Sequence, residues 1–247
     1  MKMVKKIDAA GLHYTPLNRQ VREAVAAGED EIVIEHVLGQ RFIADGLVGE
    51  VTLVVNGVPG GDIGMFMRGP TVVVHGNADH APGNTMEAGR LVIHGSAGDA
   101  VAHSMRGGMV FVRDDIGYRG GIHMKAYNAR HPYLVVGGEA RAFLGEYMAG
   151  GTILLLRRGS KEPFAERGLA SGIHGGEIFV RGEVDDGCLA VGAVKKSFGD
   201  EERAGIRPLI EEYCRHFGCD AAPLLADDYT RIGPASARPF AGKYTWE

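Results

Sequence analysis

Residues 70–95, PTVVVHGNADHAPGNTMEAGRLVIHG, run from an apolar strand-like segment through a polar corner and a glycine-rich return into a second segment of the same kind. Outward from this pair the unit recurs as VTLVVNG at 51–57, MVFVRDD at 109–115, YLVVGG at 133–138, TILLLRR at 152–158 and EIFVRG at 177–182. With the corners at Asn56, His75, His94, Arg113, Gly137, Leu156 and Arg181, the spacings are 19, 19, 19, 24, 19 and 25. A period near 19 with insertions of five or six residues is the mark of a solenoid.

The returns keep their own register. Gly89, Gly108, Gly151 and Gly176 open the following runs, and Met86, Met105, Met148 and Ile173 stand three residues earlier, as Met67 stands three before Pro70. Six before the same points lie Gly64, Gly83, Ala102, Gly145 and Ala170, all small. The methionine ladder reads as core filling, because thioethers adapt to irregular space. Returns of about a dozen residues without helical periodicity join parallel strands into a β-solenoid.

Side chains alternate along a strand, so the columns can be assigned to faces. Leu53, Val72, Leu91, Val110, Leu134, Ile153 and Ile178 share the interior with Val55, Val74, Ile93, Val112, Val136, Leu155 and Val180. The opposite face carries Val54, Val73, Val92, Phe111, Val135, Leu154 and Phe179, an apolar stripe between polar columns that resembles an interface core with its rim. The C-terminal tail, a partner protein or a second copy of this chain are the three candidates to cover it.

The sequence is read as one domain over 1–247: an N-terminal helical cap at 1–30, a β-helix at 31–186 whose first rung is the weaker segment from Asp30 to Gly49, and a C-terminal helix and tail at 187–247. Thr15-Pro16 is expected to open the cap helix, with Leu17, Val21 and Val25 on one face and Gly28 as its stop. Pro208 to Phe217 reads as a second helix, carrying Leu209, Ile210, Tyr213, Cys214 and Phe217 on one side and ended by Gly218. It is expected to protect the unpaired backbone of the last rung. The tail from Asp227, with Trp246, has no periodicity and is expected to wrap over a neighbour.

Composition excludes several classes. Net charge is −4 over 247 residues with the basic side chains scattered, so no nucleic-acid groove is expected. No run approaches the roughly 18 apolar residues of a membrane span, and the start MKMVKKIDAAG has no apolar core behind its basic flank, which points to a cytoplasmic chain. Cys188, Cys214 and Cys219 form no CxxC pair and read as reduced thiols. The 38 glycines are about twice the usual frequency and must serve left-handed turns or close backbone approaches.

No catalytic constellation emerges. No two glycines have the spacing GxG, so neither a dinucleotide fingerprint nor a P-loop exists, and there is no GxSxG elbow. His75 and His94 share a column and could share a metal ion, but the next member is Arg113. The segment IGYRGGIHMKAY at 116–127, read as the first long insertion, concentrates Arg119, His123 and Lys125 with Tyr118 and Tyr127. It reads as a polar loop that docks on a partner, the alternative being an anion site. With Phe111, Leu154 and Phe179 from the stripe, Arg119, His123, Lys125 and Tyr127 make the candidate partner interface.

The returns AGDAVAHSMRGG (97–108), LGEYMAGG (144–151) and GIHGG (172–176), together with IGYRGGIHMKAY and VLGQRFIADG (37–46), resemble the glycine-rich GXGXG repeat domain that closes the large subunit of glutamate synthase, in the form encoded as a separate short polypeptide. The resemblance runs from about Leu17 to Tyr229. It implies an all-β, single-stranded, right-handed parallel β-helix with short helical caps and no catalytic residues, cofactor or metal of its own. The family's role is to hold a glutaminase domain against a flavin-containing synthase domain, so the partners expected are a glutaminase-type subunit and a synthase subunit that carries FMN and iron–sulfur. The same repeat occurs in one of the subunits of formylmethanofuran dehydrogenase, in related formyltransferase complexes and in one of those of N-methylglutamate synthase. The 37–46 segment and the GIHMKAY insertion resemble the glutamate synthase branch. A stand-alone esterase, a label some relatives carry, finds no support in these residues.

Overall fold

The structure is a computed structural model and describes residues 3–236. Its frame is a stack of parallel strands, β1 (Val4–Asp8), β2 (Glu31–Leu38), β3 (Thr52–Val58), β4 (Arg68–His75), β5 (Ala88–Ile93), β6 (Gly108–Val112), β7 (Pro132–Val136), β8 (Ala149–Leu155) and β9 (Gly175–Arg181). Helix α1 (Tyr14–Ala26) lies between β1 and β2, and β10 (Ala193–Lys196), α2 (Asp200–Phe217), α3 (Ala222–Ala226) and β11 (Tyr229–Pro234) follow the stack. The 11 strands form one sheet in the order β1 to β9, then β11, then β10.

The registers pair like with like: Leu53 with Val72, Val72 with Leu91, Leu91 with Val110, Val110 with Leu134, Leu134 with Ile153 and Ile153 with Ile178. Both interior columns are completely buried, and so are Met67, Met86, Met105 and Met148. The fold is the parallel β-solenoid that the period implies. Each strand buries one face against the returns of its own coil, and burial of this continuous apolar column is what holds the coils together.

The returns have an unusual backbone. In each of the seven, three alternate residues have positive φ: 42, 44 and 46, then 62, 64 and 66, 81, 83 and 85, 100, 102 and 104, 119, 121 and 123, 143, 145 and 147, and 168, 170 and 172. In the five trios from 62–66 to 143–147 the outer two turn their N–H groups toward the following coil and the middle one toward the preceding coil. Thus Ala81 and Thr85 donate to the carbonyls of Asp99 and His103, both at 2.8 Å, while Gly83 donates back to Ile63 at 2.9 Å. The middle position faces the core and is always glycine or alanine, which explains the column of small residues.

That geometry relocates the first insertion. Residues 116–124 are an ordinary return, since Ile116 bridges Ala97 and Ala140, Gly121 fills the middle position and Met124 continues the buried methionine ladder. The five extra residues are 126–130, just before β7. Corner-to-corner spacing reports how many residues are inserted but not where.

Both ends differ from expectation. Before the cap helix, β1 pairs in parallel with β2, and only Ile7 of it is buried, too weak an alternation to read as a strand. Helix α1 begins at Tyr14, and His13 rather than Thr15 is its cap, with Nδ1 accepting the Thr15 N–H at 3.4 Å. Its buried face is Leu17, Val21 and Ala24, with Val25 partly covered. Helix α2 begins at Asp200, eight residues before Pro208, because Glu202 turns back to accept the Gly199 N–H at 3.0 Å. Pro208 sits inside the helix and denies the exposed Ala204 carbonyl its intrahelical partner. Gly218 ends the helix at φ 65° as expected. The last rung is protected by β11, antiparallel to β9, and not by the helix. Trp246 and the rest of 237–247 lie outside the described residues.

Candidate docking surface

The outward stripe is the floor under α2. Val92, Phe111, Val135, Leu154, Leu156 and Phe179 form one buried cluster with Ile206, Leu209, Ile210, Tyr213 and Cys214 of α2, Leu224 of α3 and Tyr229 of β11. The seat is specific. The Tyr213 hydroxyl donates to the Arg113 carbonyl at 2.8 Å and accepts from Arg158 at 3.0 Å, and burial pushes the phenol up to about 12. A Cβ at Gly137 would lie 1.8 Å from that hydroxyl, so the corner column has glycine here to admit Tyr213. Arg90 pairs with Glu212 at 2.6 Å at the helix flank. Phe111, Leu154 and Phe179 are therefore corrected from partner interface to internal core: 0, 0 and 4% exposed. Among the described residues the first rungs of the stripe are less covered: Val33, Val54 and Val73 are half-buried, Val73 at the margin of the same cluster.

Arg119, His123, Lys125 and Tyr127 lie on the other flank, where the returns face outward, and all four are exposed. Arg119 pairs with Glu146 at 3.0 Å and covers the Phe143 ring at 4.9 Å. His123 stacks on Tyr147, centroids 5.4 Å apart and planes 11° from parallel, and meets His103 edge-on at 6.0 Å. Tyr127, in the true insertion, lies under Arg130, which pairs with Glu87. Phe66 and Tyr118 extend this flank with large exposed rings, 46% each. A cavity of about 470 Å³ opens among Asp62, His80, Asn84, Asp99, His103 and Tyr118. The outward positions of the left-handed trios supply Phe66, Arg119, His123 and Tyr147, and no sequence pattern of period 2 or 3.6 would have put them together.

A second cavity, about 640 Å³, lies at the corner of the later coils among Asp115, Glu139, Arg141, Arg157, Phe164 and Glu166. Arg157 is buried there. Its Nε reaches both Glu139 oxygens at 3.1 and 3.0 Å and its second nitrogen donates to Ser160 Oγ at 2.8 Å. It occupies the position after the corner that glycine takes in five of the seven copies, at φ 45°, and was not singled out from the sequence.

The one candidate metal pair is engaged structurally. The His75 and His94 rings lie 4.9 Å apart and tilted by 41°, neighbours as their shared column requires, and His94 also packs edge-on against Phe217 of α2. Arg113, next in the column, pairs with Asp114. His103 Nδ1 is 3.2 Å from Asn84 Oδ1 of the preceding coil. Among the described residues, no group of three or more His, Cys, Asp or Glu could hold a metal ion, and no helix is long and apolar enough to cross a membrane.

Uncharacterized protein MJ1350 of Methanocaldococcus jannaschii is 51% identical over 249 aligned residues, covering 97% of this chain and 95% of that protein. The GXGXG motif family matches residues 23–236, from the last turn of α1 through β11, so that the match spans the coils from β2 onward, the covering helix and the closing strand: the chain belongs to the GXGXG motif family.

Proposed function

We propose that the chain is a noncatalytic structural subunit of a glutamate-synthase-like amidotransferase complex, which holds a glutaminase-type subunit against a synthase subunit that carries FMN and iron–sulfur. Membership of the GXGXG family supports the reading. The observation that carries it is the flank of the returns: Phe66, Tyr118 and Tyr147 stand exposed beside Arg119 and His123 on a backbone locked by hydrogen bonds between coils. Exposed aromatic and arginine side chains on a rigid frame are what a docking partner buries.

The test is the native complex recovered from the source cells through a tag on this chain. Co-recovery of a glutaminase-like chain and a flavoprotein is the expected result. Recovery alone or as a self-oligomer would overturn the reading, and pterin-containing partner subunits would move the chain to a formyl-transfer complex. Replacing Tyr147 with Ala and Arg119 with Glu together should abolish co-recovery while the melting temperature stays within a few degrees of the native value. Undiminished co-recovery would place the contact elsewhere.

A further inference from the structure

We propose that Cys214 and Cys219 are a redox pair that closes an intramolecular disulfide across the last turn of α2. The sulfurs are 2.6 Å apart, well inside the separation of two unbonded sulfur atoms, although the two cysteines are five positions apart in sequence. The cap sets this up. Gly218 takes the left-handed conformation, both its N–H and that of Cys219 return to the Cys214 carbonyl, and the chain reverses so that the Cys219 side chain falls back on the helix.

The two thiols differ in the way that an exchange reaction needs. Cys219 is half-buried, whereas Cys214 packs in the cluster beneath α2. Burial first, and the neighbouring Cys219 thiol second, push the Cys214 thiol up to about 12, so it is not the group that attacks first. The Arg158 guanidinium, held by the Tyr213 hydroxyl, lies within electrostatic reach of both sulfurs.

The reaction uses a low-molecular-weight disulfide as oxidant. The Cys219 thiolate attacks one of its sulfurs, the old S–S bond breaks and one thiolate leaves, which gives a mixed disulfide on Cys219. Cys214 then attacks the Cys219 sulfur, the second external thiolate leaves, and the two protons released by the cysteines pass to the two departing thiolates. Two protein thiols are oxidised and one external disulfide is reduced to two thiols. The closed bridge pins the turn that presses Phe217 against His94 and His216 against Phe111.

The full chain is incubated with oxidised glutathione or with dithiothreitol, denatured, alkylated with iodoacetamide and mapped by peptide mass spectrometry. The oxidised chain should carry one alkylated cysteine, Cys188, in place of three, with a linked peptide about 2 Da lighter than its dithiol form. Cys214→Ala should arrest with glutathione on Cys219, and Cys219→Ser should form no internal bridge. The oxidised native chain should melt several degrees above the reduced one, a difference absent in Cys214→Ala. Three alkylated cysteines after oxidation, a glutathione adduct that persists on the native chain, or a bridge to Cys188 would each overturn the proposal.

Discussion

Fourteen of the 21 left-handed positions in the returns are filled by residues other than glycine, among them Phe42, Ala100, Arg119 and Tyr147. Left-handed backbone disfavours an L residue by about 1–2 kcal/mol, yet the N–H groups of all of them but Ala44 are fixed by a neighbouring coil. Glycine at all three alternate positions would spell GxGxG, and this chain supplies it only in part, which is why that string is absent from its sequence. Ala100→Gly should therefore raise stability by about 0.5–1 kcal/mol, as relieved strain exceeds the added chain entropy. Gly145→Ala should lower it by about 1–3 kcal/mol, because the new Cβ would lie 2.4 Å from Ile178 Cδ1 at φ 70° in a fully packed core. Urea melts of the two variants decide both. Burial holds His94 and His216 below their usual pKa, and His216 Nε2, 3.6 Å from Glu212, has no hydrogen-bond partner among the described residues. The unfolded chain thus binds more protons, and this contribution to stability is complete above pH about 6.5 and lost as the pH falls below it. The expected result is a urea midpoint that drops between pH 7.5 and 5, by a smaller amount in His216→Gln.

At the scale of elements, α2 decides which surface of the solenoid is free. Phe111 and Leu154 would be an adhesive stripe if α2 were absent; beneath it they are core. Phe111→Asp, or Leu154→Asp, should cost several kcal/mol by burying an unpaired carboxylate in the α2 seat. The cost appears as a lower melting temperature of the isolated chain, with the α2 end exposed to limited proteolysis. A variant that melts like the native chain but loses its partners would return the stripe to the interface. The columns of the strands were legible in the sequence because side-chain alternation is local. The cover was not, since Tyr213 meets the Arg113 carbonyl across 100 residues and nothing near Arg113 announces it.

At the scale of the molecule, the sheet ends in two edges, β1 and β10, with Lys5 and Lys6 on one and Lys195 and Lys196 on the other, all exposed. Charged side chains on an edge discourage pairing with another chain. Lys5→Val with Lys6→Val should produce concentration-dependent self-association in sedimentation velocity, and a monodisperse double variant would show that the edge is guarded by other means. By itself the sequence determined the solenoid, its interior columns, the methionine ladder and the small column, because a repeat of 19 residues stacks equal side chains at one strand spacing and each copy confirms the others. Only the tertiary structure decided where the extra residues sit, that β11 closes the last rung, that α2 covers the stripe and that Cys214 meets Cys219. Those contacts occur once each, between segments without periodicity, and a contact made once leaves no pattern to read.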